Sequence, residues 1–296
     1  MPERLKAGIV GCGRIAALLE DVDLLREKPA SHLGVLKALA DLFEVKALCD
    51  VNLCRLTYVA DKWNVKDWYL SLDAMLEFEK LDVISVCTPA ESHAEIVMRI
   101  AQHENRPKLI FVEKPIALDL HSADGMGEFC RKYGVKLMVN HTRRWDPAFR
   151  HVKALVDAGE IGEILAFQGF FSGDVVNDGV HMADLACWFN PKEASVVNVK
   201  SPYLLFEVDL VGSDGRIKIL NNGERFEIYK PVESRRYSSV KELLLEKVLD
   251  VQYSFSKAMV NAYKEAAACV LNDWKPSVSV KEGIEALRTC LKWRRK

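Results

Sequence analysis

Apolar positions in the first 140 residues fall in short, unbroken runs: KAGIV (6–10), EVKALCD (44–50), LDVISVC (81–87), KLIFVE (108–113) and VKLMVN (135–140). WYL (68–70) reads as a further short strand. Runs without polar alternation indicate strands buried on both faces, hence a parallel sheet with helical crossovers. Helical patterns fill the gaps, over 91–104 and 119–133 among others. The rhythm then changes. A helix over 146–158 leads into ILAFQGFF (164–171) and a helical stretch over 179–189. Strand-like runs follow at ASVVNVK (194–200), YLLFEVDLV (203–211), RIKIL (216–220) and RFEIYK (225–230). SDG (213–215) and NNG (221–223) read as hairpin-type turns, because Gly and Asn tolerate positive φ. Two long helices are expected to close the chain, about 238–272 and 279–294, broken at Lys275-Pro276. The expected fold is an α/β domain with a doubly wound parallel sheet over 1–143. An α+β domain with an open, mostly antiparallel sheet is expected over 144–296. The C-terminal helix is a candidate to pack back on the first domain.

Composition narrows the function classes. The chain has 296 residues, 49% hydrophobic and 28% charged, with a net charge of -1. That suits a soluble protein of two domains with a sizeable core. No basic surplus points to nucleic acid or an anionic membrane. The basic end WRRK is short and reads as a solvated helix end. No apolar run is long enough for a transmembrane helix, and MPERLKAGIVGCG lacks a signal-peptide pattern. The eight cysteines form no C-x-x-C pair and sit mostly in apolar runs. They read as reduced, buried side chains of a cytoplasmic protein, with no metal site.

The first strand runs directly into GCGRIA, a G-x-G-x-x-A turn at the start of a βαβ pattern. Gly11 permits the sharp turn, Gly13 permits close approach of a pyrophosphate, and Ala16 permits close helix packing, with Arg14 and Ile15 in the same turn. Asp50 ends the second strand, where a carboxylate can accept hydrogen bonds from ribose hydroxyls and repel a 2′-phosphate, favouring NAD over NADP. Arg55 lies close enough to soften that preference. Asp50 stands roughly twice as far from Gly11 as the ~20 residues usual for this motif. The excess is the polar stretch 19–31. The competing reading of Asp50 is a helix N-cap. Cys87, Thr88 and Pro89 end the strand LDVISVC at the carboxyl edge of the sheet, where ligands bind in such folds. Ser92 could cap the next helix, and His93 lies in its first turn; a lone His there is more often structural.

GCGRIA, Asp50, VCTPAESH, FVEKPIA, NHTRRWDP and DGVHMADLACW occur in that order, and in this the chain resembles the Gfo/Idh/MocA oxidoreductases. That family contains glucose-fructose oxidoreductase, inositol dehydrogenases and sugar-nucleotide dehydrogenases. The resemblance covers essentially the whole chain. It implies a Rossmann domain, a C-terminal domain with an open sheet, and NAD(P) bound between them.

Glu113, Lys114 and Pro115 leave a buried strand at the carboxyl edge. An ammonium there can donate to a substrate hydroxyl and stabilise the alkoxide that forms as hydride leaves. The resemblance implies a catalytic or substrate-binding role for Lys114, a cofactor- or loop-orienting role for Glu113, and a cis Lys114-Pro115 bond. A plain surface turn is the competing reading. In GDVVNDGVHMADLACW, Asp178 and His181, and His181 and Asp184, are three apart and share a helix face. A His beside a carboxylate can act as a general base; a satisfied core histidine is the alternative. The family pattern has an acid four residues before this histidine, and this chain has Asn177 there, with Asp178 as a substitute. Asn140 and Arg144 are placed to meet nicotinamide or substrate. Trp145 could stack on a sugar, though packing is the safer reading. Asp146 looks like an N-cap with Pro147 at the first helical position. Relatives often oligomerise through the open sheet, which implies a dimer or tetramer here, although Ser201-Pro202 shortens the connection between two strands.

The expectation is an NAD-dependent dehydrogenase or reductase of a polyhydroxylated small molecule, with Lys114 stabilising the oxyanion and His181 accepting the proton. One rival is a non-catalytic dinucleotide-binding regulator. Another is an oxidoreductase that retains and recycles a tightly held cofactor.

Overall fold

The protein is described by a computed structural model covering residues 3–294. The first two residues of the expected N-terminal entry, and Arg295 and Lys296 of the basic end, lie outside the described residues. The elements in chain order are β1 (Leu5–Val10), α1 (Leu19–Val22), α2 (His32–Ala38), β2 (Phe43–Cys49), α3 (Leu53–Trp63), β3 (Asp67–Tyr69), α4 (Leu72–Phe78) and β4 (Val83–Val86). Then follow α5 (His93–Gln102), β5 (Leu109–Val112), α6 (Leu120–Tyr133), β6 (Lys136–Val139), α7 (Pro147–Asp157), β7 (Ile164–Phe171), α8 (Gly179–Phe189) and β8 (Glu193–Asn198). The last are β9 (Phe206–Gly212), β10 (Gly215–Leu220), β11 (Arg225–Glu233), β12 (Lys241–Val248), α9 (Phe255–Leu271) and α10 (Val280–Arg294). The chain forms two compact units: residues up to Thr142 with Phe255–Leu287, and Arg143–Ser254 with residues from Arg288 onward.

In the first unit the strands form a parallel sheet in the order β3-β2-β1-β4-β5-β6. Every residue of β4 and β5 is buried, which explains their apolar sequence, broken only by Ser85. The order reverses between β1 and β4, so the carboxyl ends of those strands open a crevice. Helix ends follow local chemistry. Asn52 accepts the Arg55 amide to start α3, and Asp119 accepts the Ser122 amide to start α6. Gly134, at φ 71°, ends α6. Asp50 is thus not the cap of α3; it lies two residues before the cap Asn52.

The second unit holds a sheet in the order β12-β11-β10-β9-β7-β8, antiparallel except for the β7–β8 pair. One face packs against α7 and α8 around Phe149, Phe167, Leu185 and Phe226. Asp146 caps α7 through the Ala148 and Phe149 amides, with Pro147 first in the helix. Ser213 and Asp214 join β9 to β10. Asn221, Asn222 and Gly223 all take positive φ (49°, 56° and 90°) between β10 and β11.

One expected element is wrong. The helix read over 238–272 begins only at Phe255, and Lys241–Val248 is the edge strand β12. KELLLEKV is built of good helix formers. Pairing with β11, Leu245 opposite Tyr229 and Leu243 opposite Pro231, overrides that local preference.

Candidate functional site

The crevice at the end of β1 is a cleft of about 780 Å³. Gly11 has φ +88°, and a Cβ there would stand 2.8 Å from the Thr88 side chain and 2.9 Å from its amide nitrogen. A Cβ on Gly13 would meet nothing within 4 Å, so its backbone lies open beside the cleft. Arg14 and Ile15 line the same space. This is the arrangement a pyrophosphate requires: a tight glycine turn, an accessible backbone and nearby cations.

Asp50 and Arg55 line the cleft together. The Asp50 carboxylate is buried and accepts the Cys12 amide at 2.7 Å and the Asn52 amide at 2.8 Å. Arg55 grips it with Nε at 2.9 Å and a second guanidinium nitrogen at 2.7 Å. Burial pushes the Asp50 carboxyl up, but the Arg55 and amide hydrogen bonds outweigh it and hold the group below the usual carboxylate range. Cys87, Thr88 and Pro89 also line the cleft. Burial pushes the Cys87 thiol well up, so it contributes shape rather than a thiolate.

Ten further lining residues were not predicted for the site, four of them on one helix face: Ser92, Glu95, Ile96 and Arg99. The i, i+3, i+4, i+7 spacing of these four, just after β4, is a signal the sequence carried. Arg99 is held by Asp73 at 2.7 Å and Glu95 at 3.0 Å. Ser92 does not cap α5; its hydroxyl bonds the Thr88 hydroxyl and the Pro89 carbonyl. His93 is buried and does not line the cleft. Its ring nitrogens meet the Thr88 carbonyl at 2.8 Å and the Pro115 carbonyl at 3.0 Å, tying together the loops after β4 and β5.

Glu113 leaves β5 into a buried polar pocket. Its Oε1 accepts from His32 Nε2 at 2.8 Å and from Asn140 Nδ2 at 2.5 Å, and Oε2 accepts the Lys114 amide at 3.3 Å. Burial alone would raise the Glu113 pKa, but the His32 hydrogen bond and charge, Lys114 and Asn140 lower it. Lys114 is half-buried, and its bond to Pro115 is cis. His32 and Tyr263, which back this pocket, went unnoticed in the sequence. Ser31 at the cap of α2 flags the helix, but nothing local assigns His32 a partner 81 positions away.

In the second unit, Arg144 is engaged with Asp184: Nε stands 2.9 and 3.0 Å from the two carboxylate oxygens, and a terminal nitrogen 2.8 Å from Oδ1. Both side chains are buried, and the guanidinium lies 5.5 Å from the Trp188 ring. Asp184, expected to share a helix face with His181, thus also carries the Arg144 guanidinium. Asp178 is exposed, and its Oδ2 accepts the Asp174 amide at 2.8 Å. Asn177 is exposed and donates its backbone amide to Asp174. His181 is half-buried, in the first turn of α8. Trp145 is fully buried. The neighbouring Arg143, unremarked in the sequence, is buried with its guanidinium 3.8 Å over the Phe206 ring and bonded to Asn222.

All eight cysteines are free, with only Cys54 exposed. Among the described residues no group of side chains could hold a metal ion, and no helix is long and apolar enough to cross a membrane.

Residues 5–141 match the model of an oxidoreductase family with an NAD-binding Rossmann fold, named GFO_IDH_MocA. Among curated proteins, the scyllo-inositol 2-dehydrogenase (NAD(+)) of Bacillus subtilis (strain 168) is 33% identical over 116 residues, 39% of this chain and 33% of that protein. The D-apiose dehydrogenase of Paraburkholderia graminis is 25% identical, across 96% of this chain and 85% of that protein. The matches to the first curated relatives span less than half of those proteins' lengths, 42% and 33%. Among solved structures, myo-inositol 2-dehydrogenase from Lactobacillus plantarum superposes with a TM-score of 0.75 at 19% identity, covering 99% of this chain and 97% of that one. At that identity the likeness is one of fold.

Proposed function

From the match of residues 5–141 to the Gfo/Idh/MocA oxidoreductase family, we propose that the chain is an NAD(P)-dependent dehydrogenase or reductase acting on a CH–OH group of a sugar, inositol or related polyol. The observation that carries the reading is the cleft at the sheet's switch point, where the Gly11–Gly13 turn and the Asp50 carboxylate share one space. Residues 1–143, with Phe255–Leu287 packed on them, would bind the dinucleotide, and the rest of 144–296 the substrate and further subunits. Gly11, Gly13, Arg14 and Ile15 would hold the pyrophosphate. Cys87, Thr88 and Pro89 would line the route towards the nicotinamide, and Asn140, Glu113 and His93 would support it. A bound nicotinamide supplies the hydride acceptor. Lys114 would donate a hydrogen bond to the substrate oxygen and stabilise it as it gains charge. His181, assisted by Asp178, would accept the hydroxyl proton. Arg144, Trp145 and Asn177 would shape the substrate end. NAD is preferred to NADP on the strength of the ionised Asp50, and Arg55 reduces the margin.

The rival reading, a dinucleotide-binding protein without turnover, is favoured by Asp178, whose carboxylate serves its own loop, and by Asn177 in place of an acid. Subunit association through the second sheet, as a dimer or tetramer, draws support from its edges: β8 is exposed along most of its length, and Leu243, Leu244 and Leu245 of β12 are 43–55% exposed. A reducing, cytoplasmic setting suits eight free cysteines.

The test is a thermal-shift panel with NAD and NADP, then polyols and sugars with cofactor present, followed by reduced-nicotinamide absorbance. Lys114→Ala and His181→Ala should keep cofactor binding and lose about 10²-fold or more in turnover. Full activity in both variants would sink the assignment. Cofactor binding without turnover of any polyol by the wild-type protein would favour the rival.

A further inference from the structure

A continuous polar chain runs through the core of the first unit. Ser85 Oγ, on β4, lies 2.7 Å from Tyr263 Oη, on α9. Tyr263 Oη lies 2.7 Å from His32 Nδ1, on α2, and His32 Nε2 lies 2.8 Å from Glu113 Oε1. Ser85, His32 and Tyr263 are fully buried and Glu113 nearly so. The donor count orders the protons. An ionised carboxylate only accepts, so the His32 proton on Nε2 points at Glu113. In a neutral ring, Nδ1 then accepts from the Tyr263 hydroxyl, whose oxygen accepts from Ser85. Rings lock the assembly: Phe111 meets the His32 ring at 5.4 Å and the Tyr263 ring at 5.3 Å, both edge-on.

We propose that His32 is a positioning residue for Lys114: its Nε2–H fixes the Glu113 carboxylate, and the fixed carboxylate holds the Lys114 backbone. The inference rests on the role proposed above for Lys114. Stability alone does not call for such an assembly, since well-packed apolar side chains usually serve a core as well as a buried polar pair. What apolar side chains cannot do is orient a carboxylate. The chain ends where an oriented carboxylate has a use: Asn140 donates to the same Oε1 from the loop after β6, and Glu113 Oε2 takes the Lys114 amide. A catalytic group displaced by about 1 Å can lose on the order of 10²-fold in rate, so a rigid support behind Lys114 has work to do.

Two substitutions separate the contacts. The amide nitrogen in His32→Gln reaches the Nε2 position and keeps a donor to Glu113. The shorter side chain in His32→Asn reaches only the Nδ1 position and loses it. The first readout is the rate at which acetic anhydride labels Lys114 in cofactor-free protein, measured by mass spectrometry against the other lysines. The second is kcat and KM separately. Lys114 labelling should stay within about twofold of wild type in His32→Gln and change about threefold or more in His32→Asn. In the latter, kcat should fall about 10- to 100-fold with KM little altered. Glu113→Gln should reproduce the labelling change, and it carries the test if His32→Asn fails to fold. Wild-type labelling of Lys114 in His32→Asn and Glu113→Gln would overturn the proposal, as would equal changes in Gln and Asn variants that track lost stability. The labelling pattern appearing in a protein that turns over no polyol would uphold the positioning role and refute the enzymatic reading alone.

Discussion

Replacing Asp184 by Ala should destabilise the second unit more than any change to its exposed charges. The pair it forms with Arg144 is bidentate, at 2.8 to 3.0 Å, with both side chains under a tenth exposed. Taking the carboxylate away leaves a guanidinium in the interior with the Asp184 carbonyl, 3.4 Å away, as a poor substitute. Uncompensated buried charges of this kind cost about 3–5 kcal/mol. A domain of this size loses about 2–4 °C of Tm per kcal/mol, so the expected fall is on the order of 10 °C. Removing both partners together, as Arg144→Met with Asp184→Leu, removes the desolvation problem along with the attraction. The double variant should lie within about 1–2 kcal/mol of wild type. Urea titrations followed by near- and far-UV circular dichroism measure all three variants. A loss below about 1 kcal/mol in Asp184→Ala, or a double variant as unstable as the single, would refute the reasoning. On the substrate role proposed for Arg144, an anionic substrate would have to compete with this buried carboxylate, which favours the proposed neutral polyol.

Asp50→Ala removes the proposed ribose acceptor and frees Arg55; NADH should bind about 10- to 100-fold more weakly by calorimetry, with the NADPH-to-NADH preference shifted towards NADPH. An unchanged ratio would place the adenosine end elsewhere. Gly11→Ala puts a Cβ at φ +88° and within 2.9 Å of the Thr88 backbone; it should cost at least about 1–2 kcal/mol and weaken cofactor binding, and a neutral result would remove the glycine turn from the argument. Glu113 has a folded pKa below its ordinary 4.5, so it stabilises the fold above that value, and this contribution is lost as pH falls through the lower folded value. Urea midpoints measured between about pH 6 and 3 should fall less steeply in Glu113→Gln than in wild type; parallel curves would contradict the burial of an ionised Glu113.

The parallel sheet was legible because its signal is local and repeated: buried strands such as LIFV admit no polar residue, and each is followed by a helix pattern. The glycine turn was legible because backbone geometry at Gly11 restricts residue type. β12 was not, because KELLLEKV satisfies helix propensity, and only the exposed edge of β11 makes it a strand. The side-chain pairings were illegible for a related reason. Spacing along α8 aligned Asp184 with His181, but spacing says nothing about what arrives from another segment. Arg144 arrives with a planar fork that meets both oxygens of the carboxylate.

The polar pairings hidden from the sequence share a physical character. His32, Tyr263, Glu113 and Asp184 are all buried, and a buried polar group without a partner is costly. Once chain topology brings such groups together, their pairing is enforced by that cost rather than by any local preference. Exposed residues such as Asp178 carry no such requirement, and their positions follow the loop that holds them. In the first unit, the backbone of Lys114 is therefore preorganised through Glu113 by the core. In the second unit, the segment around Asp178 is held by its own loop, so loop substitutions such as Asp174→Ala should disturb it first.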